Sequence, residues 1–142
     1  MRRNFWCFIG RMLSILLSVL LLSGVLSFAN AQKSKKIVKI AAILPLTGPN
    51  TAIGIGMANS IELAVQQANT KRILGQNIQI EFVKLDDASK PEIAVALATQ
   101  VTTDPDVLGV VAHYNSPCAM ATRDIFHKAG VATLIGGALT TE

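Results

Sequence analysis

From Ile37 onward, short β-type apolar runs alternate with longer stretches of helical spacing. Ile37 to Leu44 is rich in β-branched residues and ends at Pro45. Ile55 to Thr70 follows with Ile61, Ala64, Val65 and Ala68 at i, i+3, i+4 and i+7, the spacing of one helix face. Ile78, Ile80 and Phe82 then alternate, and Leu85 closes that strand. Glu92 to Thr102 returns to helical spacing through Ile93, Ala96, Leu97 and Val101, with Pro91 suited to a first-turn position. Val107 to Val111 is continuously apolar, as expected of a parallel strand covered on both faces. Ser116 to Ala129 reads as a helix that turns Ile125 and Phe126 inward and stops at Gly130. Val131 to Ile135 is a fourth strand, closed by Gly136-Gly137. The order β-α-β-α-β-α-β predicts an α/β fold, a parallel Rossmann-like sheet with helices on both faces. Such sheets bind ligands beyond the carboxyl ends of their strands, where the strand order reverses. The segments of interest are therefore Pro45–Gly54, Asp86–Pro91, Ala112–Pro117 and Gly136–Glu142.

The first residues lie outside this pattern. Arg2, Arg3 and Arg11 precede an apolar run of 15 residues from Met12 to Leu26, and Ala29-Asn30-Ala31 supplies a small-x-small exit. The run is shorter than the roughly 18 residues of a spanning helix and is diluted by Ser14, Ser18, Ser23 and Gly24. Residues 1–31 are read as a signal peptide cleaved before Gln32, with an uncleaved anchor as the alternative. Either way residues 32–142 are expected to be exported, to the periplasm or an equivalent extracytoplasmic space. No cysteine stands at the cleavage point, so no lipid-anchor site is expected.

Removing that segment changes the charge picture. The three arginines go with it, and from Gln32 on ten lysines and arginines face nine acids. The balance gives no reason to expect a nucleic-acid partner. Cys118 alone remains after cleavage, which excludes an intramolecular disulfide.

The candidate chemistry is sparse. Gly54 and Gly56 form only a Gly-x-Gly, and no P-loop lysine follows, so no nucleotide cofactor is expected. Asp86 and Asp87 are adjacent, so in a strand they face opposite ways; a capped turn suits them better than a shared site. His113 and His127 complete no metal-ligand set, and no metal is expected. Cys118 falls in the first turn of a helix, where its thiol acidity could be raised, but a packed thiol is the better reading. Tyr114 either lines the mouth of a crevice or covers the sheet edge. Ser116 stands where a helix N-cap should be, with Pro117 at the first helical position. Free amides and the positive end of the helix dipole would attract an anion there.

The segment Val38-Lys39-Ile40-Ala41-Ala42-Ile43-Leu44-Pro45-Leu46-Thr47-Gly48-Pro49 resembles the opening strand and loop of type I periplasmic binding proteins, in particular the leucine/isoleucine/valine-binding group that serves ABC importers. Further landmarks agree in order: Ile61-Glu62-Leu63-Ala64-Val65, Asn69, Leu74-Gly75, Asp86-Asp87-Ala88, Pro91, Ala112-His113, Asp124-Ile125-Phe126 and Ala129-Gly130-Val131. The resemblance implies the first lobe of a two-lobe receptor, not an enzyme, with an amino acid or amide as ligand and an ABC-type membrane permease as partner. It assigns to Ser116 the α-carboxylate of a bound amino acid. It assigns the ammonium group to a threonine after the fourth strand; a gapless match puts Leu139 there, and a shift of one residue puts Thr140 there. Two other features of the group have no counterpart. Ile53 stands where an aromatic is common, and Ser89 and Asn115 stand where some members carry a disulfide. The resemblance stops at Glu142 within the first lobe, so the chain is expected to be an N-terminal portion that alone would bind solute weakly. The ectodomain of a signalling receptor is a second reading, and an exported enzyme on the same sheet a third.

Overall fold

A computed structural model describes residues 34–139, of which those from Lys35 on fall in one compact unit. Residues 1–31, expected to be a signal peptide, and Thr140 lie outside the described residues. Seven elements follow one another: β1 (Lys36–Leu44), α1 (Thr51–Thr70), β2 (Ile78–Asp86), α2 (Pro91–Thr102), β3 (Val107–Ala112), α3 (Ser116–Ala129) and β4 (Ala132–Leu134). The strands form one sheet in the order β2-β1-β3-β4, all parallel. Strand order therefore reverses between β1 and β3. Among the described residues no helix is long and apolar enough to cross a membrane.

The period-two pattern of β1 divides the core into two layers. Ala41 and Ile43 face α2 and α3, packing with Ala98, Val101, Val110, Ala112 and Phe126. Ala42 and Leu44 face α1, packing with Ala58, Met57, Ile61 and Phe82. Successive side chains of the central strand thus meet helices on opposite faces of the sheet. Two helix faces sit differently from their sequence reading. In α2 the buried positions are Ala94, Ala98 and Val101, and Ala96 is exposed. In α1 the buried positions are Gly54 and Ala58, and Ala64 is exposed. In both cases small residues take the closest approach to the sheet and the bulkier Leu97 and Ile61 pack beside it. β3 is buried only toward its carboxyl end; Leu108 is 54% exposed.

α1 also begins a turn earlier than its apolar spacing indicates. Gly54 reads as the end of a loop, but it is where the helix presses onto the backbone of Pro45. The start of α2 and the end of α3 match their signals. Pro91 occupies the first turn of α2, and Gly130 takes the left-handed conformation, φ 66°, that ends α3. At the edge strand β2, Asn69 from the end of α1 bonds both backbone groups of Ile80: its Nδ2 donates to the carbonyl and its Oδ1 accepts from the amide, each at 2.8 Å.

Candidate functional site

The carboxyl ends of the strands carry three loops that hydrogen bonds draw together. The first is the segment between β1 and α1. Asp86, the last residue of β2, holds it: Oδ1 accepts from the amides of Leu46 (2.8 Å) and Thr47 (3.1 Å), and Oδ2 accepts from the Thr47 hydroxyl at 2.6 Å. Oδ1 also accepts from the Ala88 amide at 2.8 Å. Burial pushes the Asp86 carboxyl up; the Thr47 hydroxyl and the amides of Ala88, Thr47 and Leu46 outweigh it, so the group lies below its ordinary value of 3.8.

The second loop follows β2. Asp87 points away from Asp86, as adjacent strand residues should, and its Oδ1 accepts from the Ser89 amide at 2.9 Å. These two carboxylates brace a turn in which Ala88 and Ser89 both adopt positive φ, 48° and 61°. The capped-turn reading of Asp86-Asp87 is what the geometry gives for Asp86. Asp87 does more. Its Oδ2 lies 2.8 Å from Nδ1 of His113, and Nε2 of His113 lies 3.1 Å from the Thr122 hydroxyl, which donates to the carbonyl of Cys118 at 3.0 Å. Asp87 and His113 are completely buried and Thr122 is 1% exposed. Sequence reasoning missed this cluster, because its members lie on two loops and a helix interior with nothing in their spacing to join them. Among the described residues no group of metal-ligating side chains gathers.

The third loop runs from His113 to the start of α3, and the peptide joining Ala112 to His113 is cis. Here one expectation is corrected. Ser116 is the first residue of the helix, and Asn115 occupies the N-cap position in extended conformation without capping it. The Asn115 side chain is turned to the neighbouring loops: Nδ2 of Asn50 donates to Oδ1 of Asn115 at 3.1 Å and to the Ser89 hydroxyl at 3.2 Å. Nδ2 of Asn115 is buried without a partner. Among the described residues Asn115 makes no side-chain bond to the start of α3, and the first turn offers the amides of Ser116 and Cys118, which have no intrahelical partner, Pro117 having no N–H. The Ser116 hydroxyl accepts from the Leu139 amide at 3.2 Å, which brings the loop after β4 to the same point. Thr140 follows directly in sequence but lies outside the described residues.

Tyr114 packs against the glycine turn after β4: a side chain on Gly137 would start 2.7 Å from its ring. Cys118 is buried, and its thiol is pushed up to about 11 by burial, then by the negative charges of Asp87 and Glu92. The acidifying effect that its first-turn position suggests is overridden, and it is a packed thiol. A groove of about 650 Å3 runs beside the site between α3 and β4, floored by Phe126, Val131 and Thr133, with Ser116 and Ala138 at its end.

This arrangement corresponds to known proteins. A family model described as periplasmic binding protein matches residues 37–142. The leucine-, isoleucine-, valine-, threonine- and alanine-binding protein of Pseudomonas aeruginosa is 33% identical over 131 residues, which is 92% of this chain and 34% of that protein. The structure of the branched-chain amino acid transporter substrate-binding protein from Streptococcus pneumoniae, solved with isoleucine, superposes with a TM-score of 0.66 at 28% identity, covering 74% of this chain and 30% of that one. A solute-binding protein of an ABC transporter from R. palustris, solved with benzoate, superposes with a TM-score of 0.58 at 28% identity, covering 68% and 26%. The chain spans about a third of the length of the curated relatives it matches.

Proposed function

The chain belongs to the periplasmic binding protein family, and from that premise we propose that it captures a branched-chain or related amino acid outside the cytoplasm for an ABC-type membrane permease. The family is one of solute-binding proteins rather than enzymes. In this reading residues 1–31 direct export and residues 32–142 form the N-terminal part of a receptor whose second lobe completes the crevice. The solute binds between the lobes, where closure around it removes both of its charges from water and must satisfy each.

One observation carries the proposal: the uncapped N-terminus of α3 at the point where strand order reverses, with the Ser116 hydroxyl beside it. The first-turn amides of Ser116 and Cys118 and the helix dipole suit a carboxylate. The ligands named for the relatives support the same chemistry, because isoleucine, benzoate and the amino acids of the Pseudomonas protein all carry that group. Ser116 is the proposed carboxylate contact. Thr140, next after the residue whose amide meets the Ser116 hydroxyl, is the proposed contact to the ammonium group.

Replacing Ser116 by alanine tests the site. The substitution removes a hydroxyl that would donate to a charged carboxylate, worth about 1.5 to 3 kcal/mol, so L-leucine affinity of the full-length protein should fall by at least about ten-fold. Ser116 caps nothing and its hydrogen bond from the Leu139 amide is solvent-exposed, so the unfolding midpoint should move little. Calorimetric titration and a denaturant melt read the two quantities separately. Unchanged affinity in the variant would remove Ser116 from the site.

A further inference from the structure

We propose that Asp87, His113 and Thr122 form a buried clasp that positions the carboxylate-binding turn of α3, and that these three are positioning residues for the site; the inference rests on the reading of Ser116 given above. The clasp links four elements. The Asp87 amide donates to the carbonyl of Leu44 at the end of β1, at 3.0 Å. The Asp87 carboxylate, just past β2, meets His113, just past β3. His113 meets Thr122 in the second turn of α3, and the Thr122 hydroxyl donates back to the carbonyl of Cys118 in the first. Cys118 is two residues from Ser116.

The chemistry of the cluster argues for placement rather than cohesion. These three are the buried polar and charged residues of the described core, and the His113 ring lies beside Phe126 of the hydrophobic core, ring centroids 6.4 Å apart. A buried polar network gains little over well-packed apolar residues of the same volume, because each group must first give up water. What it adds is direction. Each bond fixes an angle as well as a distance, and an apolar contact would let α3 rotate or slide by a fraction of an ångström. A site that places amides and a hydroxyl around a carboxylate depends on that fraction. Asp87 accepts from His113 Nδ1 on one side and from the Ser89 amide on the other, so the carboxylate is itself held. In this frame His113 acts through Thr122, and Thr122 acts through the Cys118 carbonyl.

The test compares Thr122→Val, which keeps the shape and deletes the hydroxyl, with Thr122→Ser, which keeps the hydroxyl. Asn69→Ala serves as the control, since it removes two hydrogen bonds at the β2 edge, well away from α3. All are made in the full-length protein, with L-leucine as probe. Thr122→Val should weaken L-leucine binding by about ten-fold, while Thr122→Ser and Asn69→Ala stay within about two-fold of the wild type. In ligand-free protein, hydrogen exchange of a peptide spanning residues 114–122 should be about five-fold faster in Thr122→Val than in Asn69→Ala. Equal affinities in Thr122→Val and Asn69→Ala would overturn the proposal, since a purely structural cluster affects both through stability alone. So would equal exchange in that peptide. If the wild type binds no L-leucine, the solute reading itself fails, and the exchange comparison alone decides whether the clasp orders the turn.

Discussion

Gly54→Ala is expected to destabilise the fold by about 2 to 3 kcal/mol, although it replaces glycine by the best helix former inside a helix. Propensity alone would favour alanine by about 1 kcal/mol. The close approach reverses the sign. A Cβ at position 54 would lie 2.1 Å from the carbonyl oxygen of Pro45 and 2.7 Å from its carbon. Both are backbone atoms, so no side-chain rotation relieves the overlap, and either α1 or the Pro45 segment must move. Movement there strains the bonds from Asn50 to Ser89 and Asn115, so solute affinity should fall together with stability. Urea melts of wild type and variant measure the first effect directly. Stabilisation by alanine would mean that α1 does not approach β1 as described.

The second large effect concerns Asp86. Its carboxylate accepts from three amides and one hydroxyl, and the acceptors cannot be replaced by water without opening the turn between two loops. Asp86→Asn keeps one carbonyl oxygen but loses the charge and one acceptor, and should cost about 2 kcal/mol at neutral pH. The pH dependence follows from the direction of its shift. The folded-state pKa lies below the ordinary 3.8, so the folded protein holds its proton less tightly than the unfolded chain does. The contribution is therefore complete above the unfolded value and is lost as pH falls through the folded one. The gap in unfolding free energy between wild type and Asp86→Asn should stay constant from pH 7 to about 5 and narrow below about 4. A gap that widens toward acid pH would contradict the assigned hydrogen bonds.

Much of the fold was legible because its signals are local. Strand and helix periods, Pro91 at a first turn and Gly130 at a helix end each act within a few residues, and each falls where the structure has it. The face of α2 was read one position away, because Ile93, Ala96, Leu97 and Val101 fit the spacing, whereas burial selects the smaller Ala94 and Ala98 against the sheet. The early start of α1 was hidden by Gly54, whose helix-breaking reputation masks a packing requirement against Pro45. Ser116 followed by Pro117 marked the start of α3. The sequence placed the serine one residue off, since a serine before proline signals a cap and nothing local reveals that Asn115 occupies that position and bonds elsewhere. The Asp87–His113–Thr122 cluster had no local signal at all. It exists because β2 and β3 end within one residue of each other on either side of β1, opposite Leu44 and Ile43, a property of register rather than of any segment.

The central claim is that the uncapped start of α3 receives a carboxylate. It is tested most directly by titrating the full-length protein with L-leucine and with isopentylamine, which has the same branched carbon skeleton and ammonium group but no carboxylate. The account predicts one L-leucine bound per chain and isopentylamine binding at least about a hundred-fold weaker. Comparable affinities for the two would place the determinant of binding elsewhere and contradict the assignment of the α3 N-terminus.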